Sequence, residues 1–292
     1  MHYRILHTIS YTYSQPVALA PHLLRLRSRS DNTQTLHSFD LKIVPQPVGI
    51  SPILDLEGNA AIKIWFDPTQ QTEQFDIQAI STVETHRTNP FNYLLEPWAI
   101  RLPLPYPAAL QVQLQPYLYS QFMSCPYGLA TVADPLIQEL AQSIFQTVNS
   151  QTDVFLTELN HQIHQHCQYI VRETGNPLPA AVTWRQQAGS CRDLVVVFME
   201  ACRAVGLAAR FVSGYQEADS PDSEPSLHAW AEVYLPGGGW RGYDPTQGLM
   251  VTDRYVALAA SALPSDAAPV TGNIWGSSIQ STQMAKLIVT AL

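Results

Sequence analysis

From Leu194 to Gly206 the chain reads LVVVFMEACRAVG, a run that is apolar on nearly every side of a helix. A helix with no polar face has only one stable place, inside a core that covers it all round. The rest of the chain must therefore supply layers on both sides of this segment. Gly206 stands where a helix would end in a left-handed cap. Just ahead of the run lies Gly189-Ser190-Cys191, a small-residue turn that puts Cys191 at the first turn of the helix. There the unsatisfied backbone N–H groups and the helix dipole favour an anion. A thiol so placed sheds its proton more readily, and the same N–H groups can hold a developing oxyanion. Cys202 is eleven residues further on, about 16 Å along the axis at 1.5 Å per residue, so the two sulfurs cannot pair. One cysteine is set for reactivity and the other for packing.

A reactive cysteine needs a base, and the base needs an orienting group. His228 opens the strand-like HAWAEVYL, and Asp244 closes WRGYDPT. Between them Pro236-Gly237-Gly238-Gly239 is a hairpin turn signal. The midpoint of 228 and 244 falls on residue 236, so folding the hairpin brings His228 and Asp244 close to opposite each other. Pairing them fully calls for a register slip or bulge, with Gly242 the candidate. A carboxylate on the far ring nitrogen would fix the imidazole tautomer and support the imidazolium. Around this centre, Trp184, Gln187 and Arg192 flank the cysteine, and Tyr215 and Trp230 flank the hairpin. All five are candidates for the cleft or the oxyanion site.

Upstream, YRILHTISYTY, HSFDLKIVPQP, DLEGNAAIKIWF and FDIQAISTVETH read as short strands with turns between them, the pattern of a small β-sandwich. Arg25, Arg27 and Arg29 alternate with other residues and are expected to form one solvated strand face. Prolines at 90, 97, 103, 105 and 107 forbid long regular structure. That stretch reads as a linker wrapping the surface and ending near residue 125. Asp134-Pro135 opens one helix, and Thr152 or Asp153 opens a second, amphipathic one. The Ala-rich stretch near 257–268, broken by Pro264, reads as strand then loop. The fold class is α+β, with an N-terminal β-sandwich-like domain over 1–110 and a helix-and-antiparallel-sheet core with a C-terminal strand over 111–292.

GSCRD, GLAARFVSGY and HAWAEVYLPGGGWRGYDPT together resemble the core of the bacterial transglutaminase-like family. YRILHTISYTYSQPV, LRLRSRS, VPQP and DLEGN are similar to the β domain that accompanies that core, and RYVALAA with APVTGNIWG matches its tail. The segment DLVVVF after the cysteine is the weaker match, and it bears on packing more than on chemistry. The resemblance implies a papain-like fold with Cys191 as nucleophile, His228 as base and Asp244 as orienting residue. It implies acyl transfer at amide bonds of a peptide or protein without a cofactor. Peptide or isopeptide hydrolysis is the leading expectation. Amine transfer to protein glutamine and a non-catalytic binding module are the alternatives.

Several other classes are disfavoured. A net charge of −8 argues against a nucleic-acid partner, whose phosphates need a basic face. HQIHQHC at 161–167 carries three histidines, but His161 and His164 share a face that His166 leaves, and no second ligand pair follows. It reads as a polar helix face, and no metal site is expected. DSPDSE at 219–224 lacks the spacing of an EF-hand. The N-terminus has no apolar leader and no stretch approaches the length of a membrane span, so a cytoplasmic protein with free thiols is expected.

Overall fold

The computed structural model describes residues 1–119, 134–172, 174–217, 226–276 and 279–292. The first 85 residues form five strands: β1 (His2–Leu24), β2 (Gln34–Val44), β3 (Gly49–Leu54), β4 (Ala60–Trp65) and β5 (Thr72–Thr85). All pair antiparallel in the order β2-β5-β1-β4-β3. β1 is the spine. Its first half pairs with β5 from His2 to Thr12, and its end pairs with β4 from His22 to Leu24. The pairing breaks between Thr12 and Val17, around Pro16, where the chain cannot donate to a ladder. The sheet curls there, and its two halves close on one core that includes Ile5, Ile9, Leu24, Ile64, Phe75 and Ile77. This is the sandwich-like part.

Beyond it, the structure differs from the linker reading in two ways. Residues 108–118 form a helix, α1 (Ala108–Leu118), despite Pro116 inside it. The proline-rich stretch before it also does not stay on the surface: Ala99, Leu102 and Leu104 are buried in the second core. A short 3-10 turn, Pro97–Ala99, leads into it, and its backbone is satisfied by pairing with residues 150–152, because Leu102 N–H donates to the Ser150 carbonyl and Thr152 N–H to the Ile100 carbonyl.

α2 (Pro135–Thr147) starts where expected, with the Asp134 carboxylate accepting from Leu136 N–H. α3 (Thr152–His166) starts at Thr152, with Gln151 at the N-cap position and no side-chain cap, and the Thr152 hydroxyl donates instead to the Ala99 carbonyl at 2.7 Å. Then follow β6 (Gln168–Tyr169), α4 (Ala180–Gln186), β7 (Ala188–Gly189) and α5 (Cys191–Ala204). α5 is the buried helix, with twelve of its fourteen residues buried. Gly206, at φ +79°, donates to Arg203, and Leu207 donates to Cys202, the two bonds of a Schellman cap. On its far side Arg203 is buried, paired with Glu200 at 2.8 Å, and donates to the Ala209, Ala262 and Tyr117 carbonyls. One side chain thus ties α5 to α1 and to the sheet beneath.

That sheet comprises β8 (Ala209–Gln216), β9 (Ser226–Leu235), β10 (Gly239–Asp244), β11 (Leu249–Met250) and β12 (Tyr255–Ser261), antiparallel in the order β11-β10-β9-β8-β12. α5, α2 and α3 cover one face through Ile144, Phe155, Val195, Phe198, Ala231 and Val233. Tyr215, Val256 and Leu258 belong instead to the core of the first sheet, which covers the other side. Residues 257–268 are strand followed by a 3-10 turn, Pro264–Ala267.

The last strands, β13 (Val270–Trp275) and β14 (Ser281–Ala291), return to the first sheet. β14 pairs with β1 from Tyr3 to Tyr13, and β13 pairs with it from Ala18 to Leu24. Both ends of the chain therefore lie in one sheet. The arginine face also differs from expectation. Residues 25–29 lie beyond β1, and Arg25 is buried, donating to the Ala268 carbonyl and Thr271 Oγ1 with Asp55 at 4.0 Å. The return of 268–271 provides the acceptors that let this charge leave water.

Candidate active site

The turn before α5 is built to hold Cys191 in one place. α4 ends on Gln187 in the left-handed conformation, and β7 pairs in parallel with β6, with Ile170 N–H donating to the Gly189 carbonyl. A Cβ on Gly189 would stand 2.8 Å from Asp193 Cβ and 2.9 Å from Thr183 Cγ2, so only glycine fits. Ser190 is the N-cap, and Asp193, at the third helical position, reaches back to its N–H at 2.8 Å and its hydroxyl at 2.7 Å. Asp193 is wholly buried and also accepts from Leu178 N–H and from Arg172. Burial alone would push its carboxyl up. The donors around it outweigh this and hold it below the usual carboxylate range. It stays charged at a helix N-terminus, where the dipole favours it. Cys191 follows at 9% exposure and lines a cleft, whereas Cys202 is fully enclosed, and burial pushes its thiol far above the ordinary value. Burial also pushes Cys167 up, to about 11.

The hairpin places the other two groups. Its register pairs Gly239 with Leu235 and Tyr243 with Ala231, without a bulge. The turn is therefore centred on Gly237, one residue later than the sequence midpoint. Continuing the register sets Asp244 opposite Trp230, so His228 sits two residues away along the same face, on the diagonal. No slip is needed, because a diagonal neighbour is within reach of a histidine side chain. His228 Nε2–H donates to Asp244 Oδ2 at 2.7 Å. Gly242 has another role, since a Cβ there would meet Val251 at 2.6 Å. Gly237 lets the tip accept the crossing segment, where a Cβ would stand 2.2 Å from the Leu94 carbonyl oxygen.

Asp244 is fully buried, and both its oxygens accept. Oδ2 takes His228 and the Tyr255 hydroxyl at 2.9 Å, and Oδ1 takes Thr246 N–H at 2.9 Å. Burial opposes its charge, but the facing His228 and these donors hold its carboxyl below the usual range. For His228 burial likewise favours the neutral ring. The Asp244 carboxylate overcomes it, with a hydrogen bond from the side of Cys191 adding to the effect, and the imidazole is raised from 6.5 to about 10. At neutral pH this describes an imidazolium between the Asp244 carboxylate and the Cys191 sulfur.

The cleft has a volume of about 330 Å³. Ser190, Cys191 and His228 line it. Phe211, Leu227, Ala229 and Pro264 give it apolar walls, with Arg172 and Arg192 at one side. Gln283 and Ala285 of β14 close it, so the first sheet contributes a wall to the site. The structure sorts the five flanking candidates. Arg192 lines the cleft and donates to the Arg172 carbonyl. Trp184 does not line it; its ring stacks on His166 at 3.9 Å and packs against the second core. Gln187 is exposed at the end of α4, away from the cleft lining. Tyr215 is buried in the first core, hydrogen-bonded to His7 at 3.2 Å. Trp230 is buried with Val212, Val251 and Tyr255. Neither aromatic lines the cleft, and both serve as core.

Four residues of the site went unread in the sequence: Arg172, Asp193, Thr246 and Tyr255. Ser190-x-x-Asp193 carries a capping-box pattern that could have flagged Asp193. Tyr255 had no local signal, because β12 reaches the site only through β8. In the histidine-rich helix, His164 Nδ1–H donates to the Thr246 carbonyl and His166 Nε2–H to the Trp184 carbonyl. The segment 219–224 and Cys125 lie outside the described residues.

Comparison with known proteins gives a consistent set of likenesses. Residues 3–84 match the family described as the bacterial transglutaminase-like N-terminal region, and residues 138–245 match the transglutaminase-like superfamily. An uncharacterized protein of Mycobacterium tuberculosis is 27% identical over 290 residues, covering 94% of this chain and 88% of the relative. One of Mycobacterium leprae is 23% identical over 274 residues, covering 92% and 91%. The fold is similar to the crystal structure of a putative cysteine protease from Cytophaga hutchinsonii, with a TM-score of 0.73 at 21% identity, covering 100% of this chain and 91% of that one.

Proposed function

This chain belongs to the bacterial transglutaminase-like family, and from that premise we propose that it is a cysteine-dependent hydrolase of amide bonds in peptides or proteins. The observation that carries the reading is the run of contacts Cys191–His228–Asp244–Tyr255, in which Cys191 and His228 line the cleft and Asp244 and Tyr255 stand behind them. Cys191 attacks the substrate carbonyl carbon as the thiolate, its charge facing the His228 imidazolium. First-turn N–H groups of α5 hold the oxyanion. His228 then passes its proton to the departing amine, the C–N bond breaks, and a thioester remains on Cys191. Water, deprotonated by the now neutral His228, attacks the thioester and releases the acid and the thiol. Asp244 keeps the imidazole oriented and stabilises its charged form, and Tyr255 and Thr246 hold the carboxylate. The chemistry needs no cofactor. The apolar walls suit an uncharged side chain next to the scissile bond. A free thiol nucleophile works best in a reducing compartment, and we place the protein in the cytoplasm on that ground.

Amine transfer shares the first half of this reaction, so the experiment must separate the second. Glutamine-containing peptides are offered with and without a labelled primary amine. Ammonia or cleaved peptide without amine incorporation is expected. Amine incorporation that outcompetes water at low millimolar amine would overturn hydrolysis and leave the nucleophile in place. No covalent turnover of any peptide would favour a binding module.

A further inference from the structure

Far from the cleft, the end of the first sheet gathers three histidines around one carboxylate. Glu84, the penultimate residue of β5, pairs with His2 of β1 on one side and Thr35 of β2 on the other. The β2 register shifts between Leu36 and Ser38, so His37 is the extra residue and swings toward Glu84. His37 Nε2 lies 3.1 Å from Glu84 Oε2, and His2 Nε2 lies 3.4 Å from Oε1. The two rings are stacked nearly parallel, 6.0 Å between centroids and 12° apart. His86, just beyond β5, places Nδ1 3.8 Å from Oε1, and its Nε2 is hydrogen-bonded to Thr35 Oγ1 at 2.8 Å. The ligand atoms of His2, His37 and Glu84 all lie within 4.8 Å of one another.

We propose that His2, His37 and Glu84 form a surface site for a divalent transition-metal ion of borderline softness, Zn²⁺ above all, with His86 or water as the fourth ligand. Two or three imidazoles with one carboxylate suit Zn²⁺, Ni²⁺ or Cu²⁺ and do not suit Ca²⁺ or Mg²⁺, which take oxygen ligands. In a tetrahedral Zn²⁺ site with bonds near 2.0–2.1 Å, ligand atoms stand about 3.3 Å apart. The two His–Glu distances already bracket that value. The side chains are 32–52% exposed, so an ion can enter without opening the fold. The ligands come from three adjacent strands, β2, β5 and β1, and the ion would rivet the end of the sheet. The backbone there already converges, with the Met1 amino group donating to the Thr85 carbonyl at 2.9 Å.

The test uses untagged full-length protein carrying Cys191→Ala, which removes the cleft thiol as a competing ligand. Zn²⁺ alone is the titrant, followed by calorimetry and by thermal melting. One equivalent is expected to bind and raise the melting temperature. Adding either His37→Gln or His2→Gln should weaken binding at least about tenfold, or 1.4 kcal/mol, without lowering the melting temperature of the metal-free chain. Both histidines are exposed, so these variants fold. No saturable binding up to 100-fold excess, or equal affinity in both histidine variants, overturns the proposal.

Discussion

Asp244→Asn is the most informative single change in this molecule. The two side chains are equal in size, so packing is preserved and only charge and hydrogen bonding change. Every hydrogen bond to Asp244 is one it accepts: from His228 and Tyr255 on Oδ2, and from Thr246 N–H on Oδ1. An amide has one oxygen and one NH₂. Either orientation sets the NH₂ against a buried donor, at about 1–3 kcal/mol. The variant also breaks a buried ion pair, and removing one partner costs about 3–5 kcal/mol. These overlap, and a net loss of about 3 kcal/mol at pH 7 is expected. At roughly 2–4 °C per kcal/mol for a chain of this size, the melting temperature falls by about 6–12 °C. The pH dependence carries a sign. An imidazolium raised from 6.5 to about 10 contributes stability fully below 6.5 and loses it as pH rises through about 10. A carboxyl held below its usual range contributes above that range and loses it as pH falls through its lowered value. The gap between the two proteins should therefore be widest between the usual carboxylate range and pH 6.5, shrink steadily as pH rises from 6.5 through about 10, and shrink again as pH falls through the lowered carboxyl value. Calorimetric melts across pH 3–10 read this directly. A constant gap across that range, or none at neutral pH, would refute the assigned charge state of the pair.

Three further outcomes follow from the same geometry. Iodoacetamide at pH 6–7 should modify Cys191 first, with Cys167 and Cys202 protected by burial, as timed peptide mapping will show; equal rates would remove Cys191's distinction. Gly189→Ala should lose about 1–3 kcal/mol and slow alkylation of Cys191, because the new methyl strikes Asp193 and Thr183, which hold the turn; denaturant melts and labelling rates check both. Arg203→Met strands Glu200 and three carbonyls inside the fold, and a loss of about 3–5 kcal/mol in chemical denaturation is expected.

What could be read in advance divides along physical lines. Local rules served well where structure is local. The all-apolar run predicted the buried α5, Asp134-Pro135 marked the start of α2, and the glycine turn folded the hairpin that joins His228 to Asp244. Long-range pairing left no local trace. Nothing in STQMAKLIVTA says that it will lie along YRILHTISYTY and form a wall of the cleft. Arg25 looked like a solvated charge because its acceptors, near residues 268–271, arrive only when that strand returns. α1 was hidden by prolines, which predict breaks but not the helix between them. Trp230 and Tyr215 illustrate a subtler limit. Alternation places a side chain on one side of a sheet, and only tertiary structure decides whether that side is core or cleft.

The proposed role of Cys191, as nucleophile of an acyl-transfer reaction served by His228 and Asp244, is open to direct test. The most direct measurement is intact-mass spectrometry of quenched reactions with a peptide library, followed by mapping of the modified residue. An acyl adduct on Cys191 is expected, cleared by hydroxylamine as a thioester would be, with no adduct and no turnover in Cys191→Ala. Turnover that survives in Cys191→Ala, or an adduct mapped to another residue, would contradict that role.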